Sequence, residues 1–412
     1  MKQSTPEPPA PTVHSGGRLL LVALALLSTL TPFATDMFLP TFPTMAEELG
    51  VPTSVIQLTL TTFFLGVAAG QLVLGPLSDR IGRKPPLVVG SLVCLIATAV
   101  TAMAPNAEIL LGARLVQGFS GAAGIVIARA IVADLYRGVA AAKMFSLLKM
   151  LGAIAPVIAP LIGGVLAIPV GWRGILWTLT GVTALMLLAV IFVIPETHGR
   201  EARAHPHPHE AADRRPRVGM LTLLRRPGFV ANALLMTFGF VVLMGYIASS
   251  PFVFQTIMGV GVVGSGVLFA VNSVGILLGS SLNMRLVERH GQHRMLRVGM
   301  IGLCLGVVIL ALQQLLGLPA FLIELPFLCF TTGIGFIIGN SVALAMESAA
   351  DARGAGSAFI GASQFLGGAM VSPLVGLAGP ASAVPLLLVA TFGTVACLIC
   401  FRVSVRVGVD AG

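Results

Sequence analysis

The sequence predicts an all-α membrane protein of twelve transmembrane helices in two pseudo-symmetric six-helix halves. Three observations carry that expectation. First, of 412 residues 56% are hydrophobic and only 10% charged, against roughly 25% charge in soluble domains, and the mean hydropathy is +0.97. A water-soluble core cannot hide that much apolar surface, so lipid must cover it. Second, twelve apolar segments reach the ~20 residues needed to cross about 30 Å of hydrocarbon. Third, the basic residues fall in alternate connections.

In chain order, residues 1–17 are Pro-rich and read as a disordered cytoplasmic tail. The apolar run from Leu19 lacks an A-x-A site and reads as the first span, not a removed leader. Further spans begin near Thr53, Leu87, Ile109, Ala140 and Trp172, closing an N-terminal bundle over 18–194. A polar linker, 195–227, follows. A second bundle over 228–406 has spans beginning near Phe229, Gly261, Met295, Phe321, Ala355 and Pro385, and 407–412 form a short cytoplasmic tail. One set of connections carries Arg80, Arg83 and Lys84, Arg137 and Lys143, Arg200 to Arg226, Arg285 to Arg297, and Arg353; the other carries little beyond Arg173. The positive-inside rule therefore places both termini in the cytoplasm of a bacterial inner membrane.

The net charge of +9 is thus a topology signal and not a nucleic-acid surface, which would need a basic face on a folded domain. All five cysteines lie in apolar runs, so no disulfide framework is implied. The linker stretch His205-Pro206-His207-Pro208-His209 reads as extended chain, with metal binding the alternative. No metal or other cofactor is expected. Without a G-x-x-x-x-G-K-[ST] loop there is no ATP site of that kind, and no cluster suggests an enzyme.

Charges inside spans are the functional candidates, because an isolated charge in hydrocarbon costs several kcal/mol. Asp36 lies inside the otherwise apolar first span, about 24 Å along it, and Arg114 sits about 9 Å into the fourth, at similar depth. They are expected to face a shared cavity or each other; Asp36 reads as a proton carrier, with a static ion pair as the alternative. Gln117 shares a helix face with Arg114. Lys149, near the midplane of span five, is placed with Asp36, Arg114 and Gln117 in a substrate cavity. Glu324 of span ten occupies nearly the repeat position of Arg114 and reads as a second proton or cation site, or as a shallow carboxylate. Arg129 reads as snorkelling to the interface.

The halves echo each other. Asp79-Arg80-Ile81-Gly82-Arg83-Lys84 returns as Glu288-Arg289-His290-Gly291-Gln292-His293, and Ala159-Pro160-Leu161-Ile162-Gly163-Gly164 returns in span eleven as Ser372-Pro373-Leu374-Val375-Gly376. Such repeats build rocking transporters with a midplane site. In the first loop Asp79 is positioned to accept N–H groups at a helix N-terminus, with Arg83 bridging it to Asp134. The three together read as a cytoplasmic gate, closed when the cavity opens outward.

The stretch Gly75-Pro76-Leu77-Ser78-Asp79-Arg80-Ile81-Gly82-Arg83-Lys84-Pro85 resembles the signature loop of the major facilitator superfamily. Arg114-Leu115-Val116-Gln117-Gly118, running on to Asp134, resembles that family's second motif, which is linked there to proton transfer. Pro156, Pro160, Gly163 and Gly164 match its antiporter motif, with Ala159 where glycine is usual. With Asp36-Met37-Phe38-Leu39-Pro40, these look like the Bcr/CflA branch of drug:proton antiporters. The resemblance implies a monomer that exports small amphiphiles such as antibiotics against protons, by alternating access. Cargoes implied are bicyclomycin, chloramphenicol-type drugs, sulfonamides, dipeptides or cysteine. Proton-coupled import or export of a physiological metabolite is the alternative.

Overall fold

A computed structural model describes residues 16–136, 138–197 and 220–410, and among these every regular element is helical. The N-terminal half comprises α1 (Gly16–Asp36), a short α2 (Phe42–Glu48), α3 (Thr53–Ile81), α4 (Lys84–Met103), α5 (Ala107–Leu135) and α6 (Gly138–Phe192). After a single turn, α7 (Met220–Leu223), the second half comprises α8 (Pro227–Phe252), α9 (Val262–His290), α10 (Gln292–Leu316), α11 (Glu324–Ser348), α12 (Arg353–Val371) and α13 (Val384–Asp410).

The 55 residues of α6 would run about 80 Å if straight, far more than a bilayer. They are two spans, parted at Gly171, whose φ of 63° and ψ of −173° interrupt the helix. Counting both gives the twelve passes expected, and an even number returns the chain to the face it started from. We call this the terminal face and its opposite the far face.

Local chemistry sets the helix ends. Asn106 caps α5 by accepting Ile109 N–H at 3.0 Å. Proline opens α4 and α8 where no N–H is needed, and Gly317 ends α10 in the left-handed region (φ 57°). Packing then depends on small residues: a Cβ on Gly118 would lie 2.0 Å from Phe63 O, so α3 and α5 meet at backbone distance. Large apolar side chains such as Phe192 (79% exposed) and Leu315 (81%) point outward, where only lipid would cover them.

Within the halves α3 packs on α5 and α8 on α13; between them the main seams are α3 against α12 and α6 against α9. The last span runs Val384–Val407, and regular helix in α13 continues beyond it to Asp410. The stretch Ser372–Gly376 closes the eleventh span, Gly354–Gly376, as a turn and a 3₁₀ segment, where its counterpart in α6 is regular helix. Pro373 cannot donate to a continuing helix. Most of the linker, with its histidines, lies outside the described residues.

Candidate functional site

A cavity of about 400 Å³ opens between the halves, walled by α1, α3, α5, α6, α8, α9 and α12. That is within the range of small-molecule sites. Its wall is chiefly aromatic and aliphatic. Phe64 of the first half stands 5.6 Å from Phe365 and 6.4 Å from Phe240 of the second, so one cluster of rings spans the pseudo-twofold boundary. Polar groups are few: Thr31, Thr35, Gln71, Tyr246, Ser273 and Gln364 among them. Among the described residues only two lining side chains carry charge, Asp36 and Arg129.

Asp36 is the last residue of α1. It is 5% exposed and accepts a 2.8 Å hydrogen bond from Thr35 Oγ1. Beyond it the halves are joined. Gln57 Nε2 donates to Ala248 O (2.9 Å), Ser372 Oγ to Gln57 O (2.9 Å), Thr61 Oγ1 to Ala369 O (2.7 Å) and Gln255 Nε2 to Pro40 O (2.6 Å). These bonds lie toward the far-face ends of their helices. Arg129, about 9 Å from the terminal-face end of α5, lies toward the cavity's other end. The site is therefore closed at the far face, with Asp36 at its inner end.

Arg114 does not meet the Asp36 carboxylate, nor does it line the cavity. Fully buried, it donates to Ala34 O (2.8 Å) and Gln117 Oε1 (2.7 Å), with the Phe38 and Phe63 rings at 4.3 and 4.8 Å. Ala34 O is one of the last carbonyls of α1, which have no partner within their own helix. The negative end of the helix dipole draws the guanidinium there, and the two rings offset part of its desolvation. Gln117, passing the contact on to Thr98 Oγ1 at 2.8 Å, also sits behind the wall. The expected shared pocket is thus corrected: Arg114 holds the segment that carries Asp36. The side chain of Lys149 lies outside the described residues.

At the terminal face Arg83, with a side chain 9% exposed, bonds Asp79, Asp134 Oδ2 (3.0 Å) and Ser78 Oγ (3.0 Å). Burial opposes its charge, but the Asp134 and Asp79 carboxylates outweigh this and hold its pKa above the ordinary value. Asp79 does not cap α4 as expected. Glu196 does, accepting from Arg83 N (2.9 Å) and Lys84 N (3.0 Å). Furthermore, these bonds involve only the first half and the start of the linker, and they are formed while the far face is closed. The cluster expected to close when the cavity opens outward is thus already formed in this state.

The proline and glycine stretch of α6 serves the seam. Pro156 lines the cavity and accepts from Ser273 Oγ at 3.1 Å. A Cβ on Gly266 would approach Pro160 O to 2.6 Å, and Gly164 packs on the start of α9. Gly163 has no room at all: its Cβ would lie 1.6 Å from Met37 O, next to Asp36. Glu324 opens α11, half-buried and outside the cavity, its Oε1 accepting from Asn272 Nδ2 at 2.7 Å. Arg129 lines the cavity and is exposed near its terminal-face end, an arrangement compatible with the expected snorkelling. Tyr246, Asn272, Gln71 and Gln57 escaped the sequence reading, being neutral; a polar residue inside an otherwise apolar run was the one signal available.

Residues 24–372 match the family model described as Major Facilitator Superfamily. An uncharacterized MFS-type transporter, YdgK, of Bacillus subtilis is 32% identical, covering 89% of this chain and 90% of that protein. A bicyclomycin resistance protein homolog of Haemophilus influenzae is 31% identical over 90% and 92%, and a chloramphenicol resistance protein of Pseudomonas aeruginosa 33% over 74% and 70%. Among solved structures, a D-xylose-proton symporter superposes with a TM-score of 0.76 at 16% identity, covering 94% of this chain and 97% of that one. A bacterial homolog of the lysosomal transporter Spinster does so at 0.75 and 15%, over 94% and 96%; both likenesses speak for the fold alone. With two six-pass halves around a cavity, the signature loop at the terminal face and a family match over most of its length, the chain belongs to the Major Facilitator Superfamily.

Proposed function

We propose that the protein is a proton-coupled exporter of small amphiphilic molecules, antibiotics among them, working as a monomer by alternating access in a bacterial inner membrane. The single observation that carries the reading is Asp36: a carboxylate at the closed end of a mostly apolar cavity between the halves. Relatives named for resistance to bicyclomycin and chloramphenicol support drugs as cargo.

The terminal face, which bears Arg83, Lys84, Arg226 and Arg289, is cytoplasmic on this reading, so the cavity faces inward. Cargo enters from the cytoplasm while Asp36 is ionised, the halves rock, and a proton from outside displaces the cargo and favours return. One proton falling through 100 mV and one pH unit provides about 2.3 plus 1.4 kcal/mol, enough for a gradient of a few hundred-fold. No bond in the cargo is made or broken. Arg114 positions Asp36 by fixing the end of α1, and the Asp79–Arg83–Asp134 cluster stiffens the cytoplasmic face of the first half.

Everted membrane vesicles with an acid interior test this, with wild type beside Asp36→Asn. Bicyclomycin, chloramphenicol and a panel of metabolites are added while the interior pH is followed. Discharge of the gradient by a compound with wild type alone is the expected result. Equal responses from both proteins, with cargo still bound, would remove Asp36 from the mechanism.

A further inference from the structure

The second half holds three buried oxygens, on neighbouring side chains, that have no hydrogen-bond partner among the described residues: Tyr246 OH, Asn272 Oδ1 and Glu324 Oε2. Buried polar atoms are nearly always bonded, so three on neighbouring side chains require an account. Tyr246 and Asn272 are 1% and 0% exposed. The tyrosine ring is stacked on Phe269 at 5.6 Å and edge-on to Phe327 at 4.9 Å, which leaves its hydroxyl little freedom to swing away. Asn272 lies beside that hydroxyl and also donates to Glu324 Oε1, so Oε2 is the carboxyl oxygen left over. Asp36 and Glu324 both lie within electrostatic reach of Tyr246, and Tyr246 shares the cavity wall with Asp36. Two carboxyl groups thus lie within electrostatic reach of one tyrosine. Asp36 faces the cavity, and Glu324, in the first turn of α11, stands at the far-face end of its helix. Neither carboxylate forms an ion pair among the described residues.

We infer that Glu324, Asn272 and Tyr246 form a switched proton path between the far face and Asp36. This deepens the exporter reading and rests on it. In the transfer the proton on Glu324 Oε2 passes to the tyrosine oxygen as the phenolic proton passes to the Asp36 carboxylate. Glu324 is left ionised, Asp36 protonated and Tyr246 unchanged. In the inward-facing state the Tyr246 hydroxyl bonds to neither neighbour, so the path is broken while the cavity is open to the cytoplasm, where a continuous path would leak protons. Rocking of the halves, which moves α1 relative to α8 and α11, closes it.

Full-length protein in liposomes, with chloramphenicol and bicyclomycin as probes, tests the path. Tyr246→Phe keeps the ring frame and removes only the hydroxyl; Glu324→Gln keeps the shape and removes only the exchangeable proton. Each is expected to slow proton-driven transport at least about tenfold, and the double variant should be no slower than the worse single one, since both interrupt one path. Drug-for-drug exchange at equal pH, which needs no net proton transfer, is expected to stay within about threefold of wild type for Glu324→Gln, whose side chain lies outside the cavity. Proton-driven transport by either single variant at wild-type rate overturns the path, and so does an equal loss of exchange and proton-driven transport in Glu324→Gln, which marks a structural role. If wild type moves neither probe, or Asp36→Asn couples as wild type does, it is the exporter reading that fails, and the path falls with it.

Discussion

The two halves turn their second span into their third with the same backbone and secure the turn with different chemistry. Gly82 (φ 105°, ψ 165°) and Gly291 (φ 78°, ψ 159°) occupy equivalent places, and each donates its N–H to the carbonyl four residues back, Ser78 O at 3.2 Å and Val287 O at 2.8 Å. In the first half the next residue is Arg83, buried between Asp79 and Asp134 under a Glu196 cap. In the second it is Gln292, and that half's ion pair is elsewhere. Arg226 meets Asp351 at 2.6 Å between the start of α8 and the turn after α11, both side chains partly exposed. The left-handed glycine is thus what reversing the chain requires, and the charge cluster is not. The cluster does something the turn does not need: it ties the terminal-face end of α5, through Asp134, to the corner of α3 and α4.

The largest effect should come from breaking that tie. Arg83→Ala leaves Asp134 and Asp79 without their cation. Removing one partner of a buried pair costs 3–5 kcal/mol, but Asp79 is mostly exposed, so about 2 kcal/mol is expected. Arg83→Lys should recover only part of it, because an ammonium cannot bridge two carboxylates and a hydroxyl as the guanidinium fork does. Thermal unfolding in detergent reads both. Arg226→Ala, at a solvated pair, should lower the melting temperature by less than half as much. Equal losses would dissolve the distinction between the halves.

A smaller effect separates the glycines themselves. Alanine at either position must adopt a left-handed conformation, at about 1–2 kcal/mol. At Gly291 nothing lies within 4 Å of the new methyl, so that strain is the whole cost. At Gly82 the methyl would come within 2.7 Å of Glu196 Oε2, the oxygen that caps Lys84 N. Glu196 has to move and the cap is lost, adding about 1 kcal/mol. Gly82→Ala should therefore destabilise more than Gly291→Ala, and the gap should vanish in a Glu196→Ala background. A gap that persisted there would mean the turns differ in the backbone after all.

The same contrast explains how much could be read beforehand. Twelve passes were legible because a span needs a long apolar run and the chain has no other way to satisfy its backbone in lipid. The seam motif was legible too, since Gly163 and Pro160 are residue types that only close packing uses so densely. What distance along a helix cannot give is azimuth. Asp36 and Arg114 were placed at one level, and they are, yet the guanidinium turns to the carbonyl of Ala34 and the carboxylate to the cavity. The cap on α4 comes from Glu196, more than a hundred residues on, where no local pattern points. Gln57 closes the far face through the carbonyl of Ala248, and a backbone partner leaves no trace in sequence. Tyr246 and Asn272 carry no charge, so the rule that singles out intramembrane charges passed over them.

The smallest effect is a pH dependence confined to the second half. The Arg226 guanidinium, by hydrogen bonding, holds the Asp351 carboxyl below its ordinary value of 3.8. A carboxyl whose pKa is lower in the folded state than in the unfolded one favours folding while it is ionised. That contribution is complete above the unfolded value and is lost as the pH falls through the folded one. Asp351→Asn should accordingly lower the melting temperature slightly at pH 7, and the difference from wild type should shrink below pH ~3.8 and close as the folded-state carboxyl protonates. The pair is solvated, so salt at about 1 M should erase most of the difference at neutral pH as well. The buried Arg83 cluster should keep most of its advantage over Arg83→Ala in the same salt. A salt-resistant Asp351 effect would show that the second half's pair is shielded like the first half's cluster, and that the halves differ only in where they place their clamp.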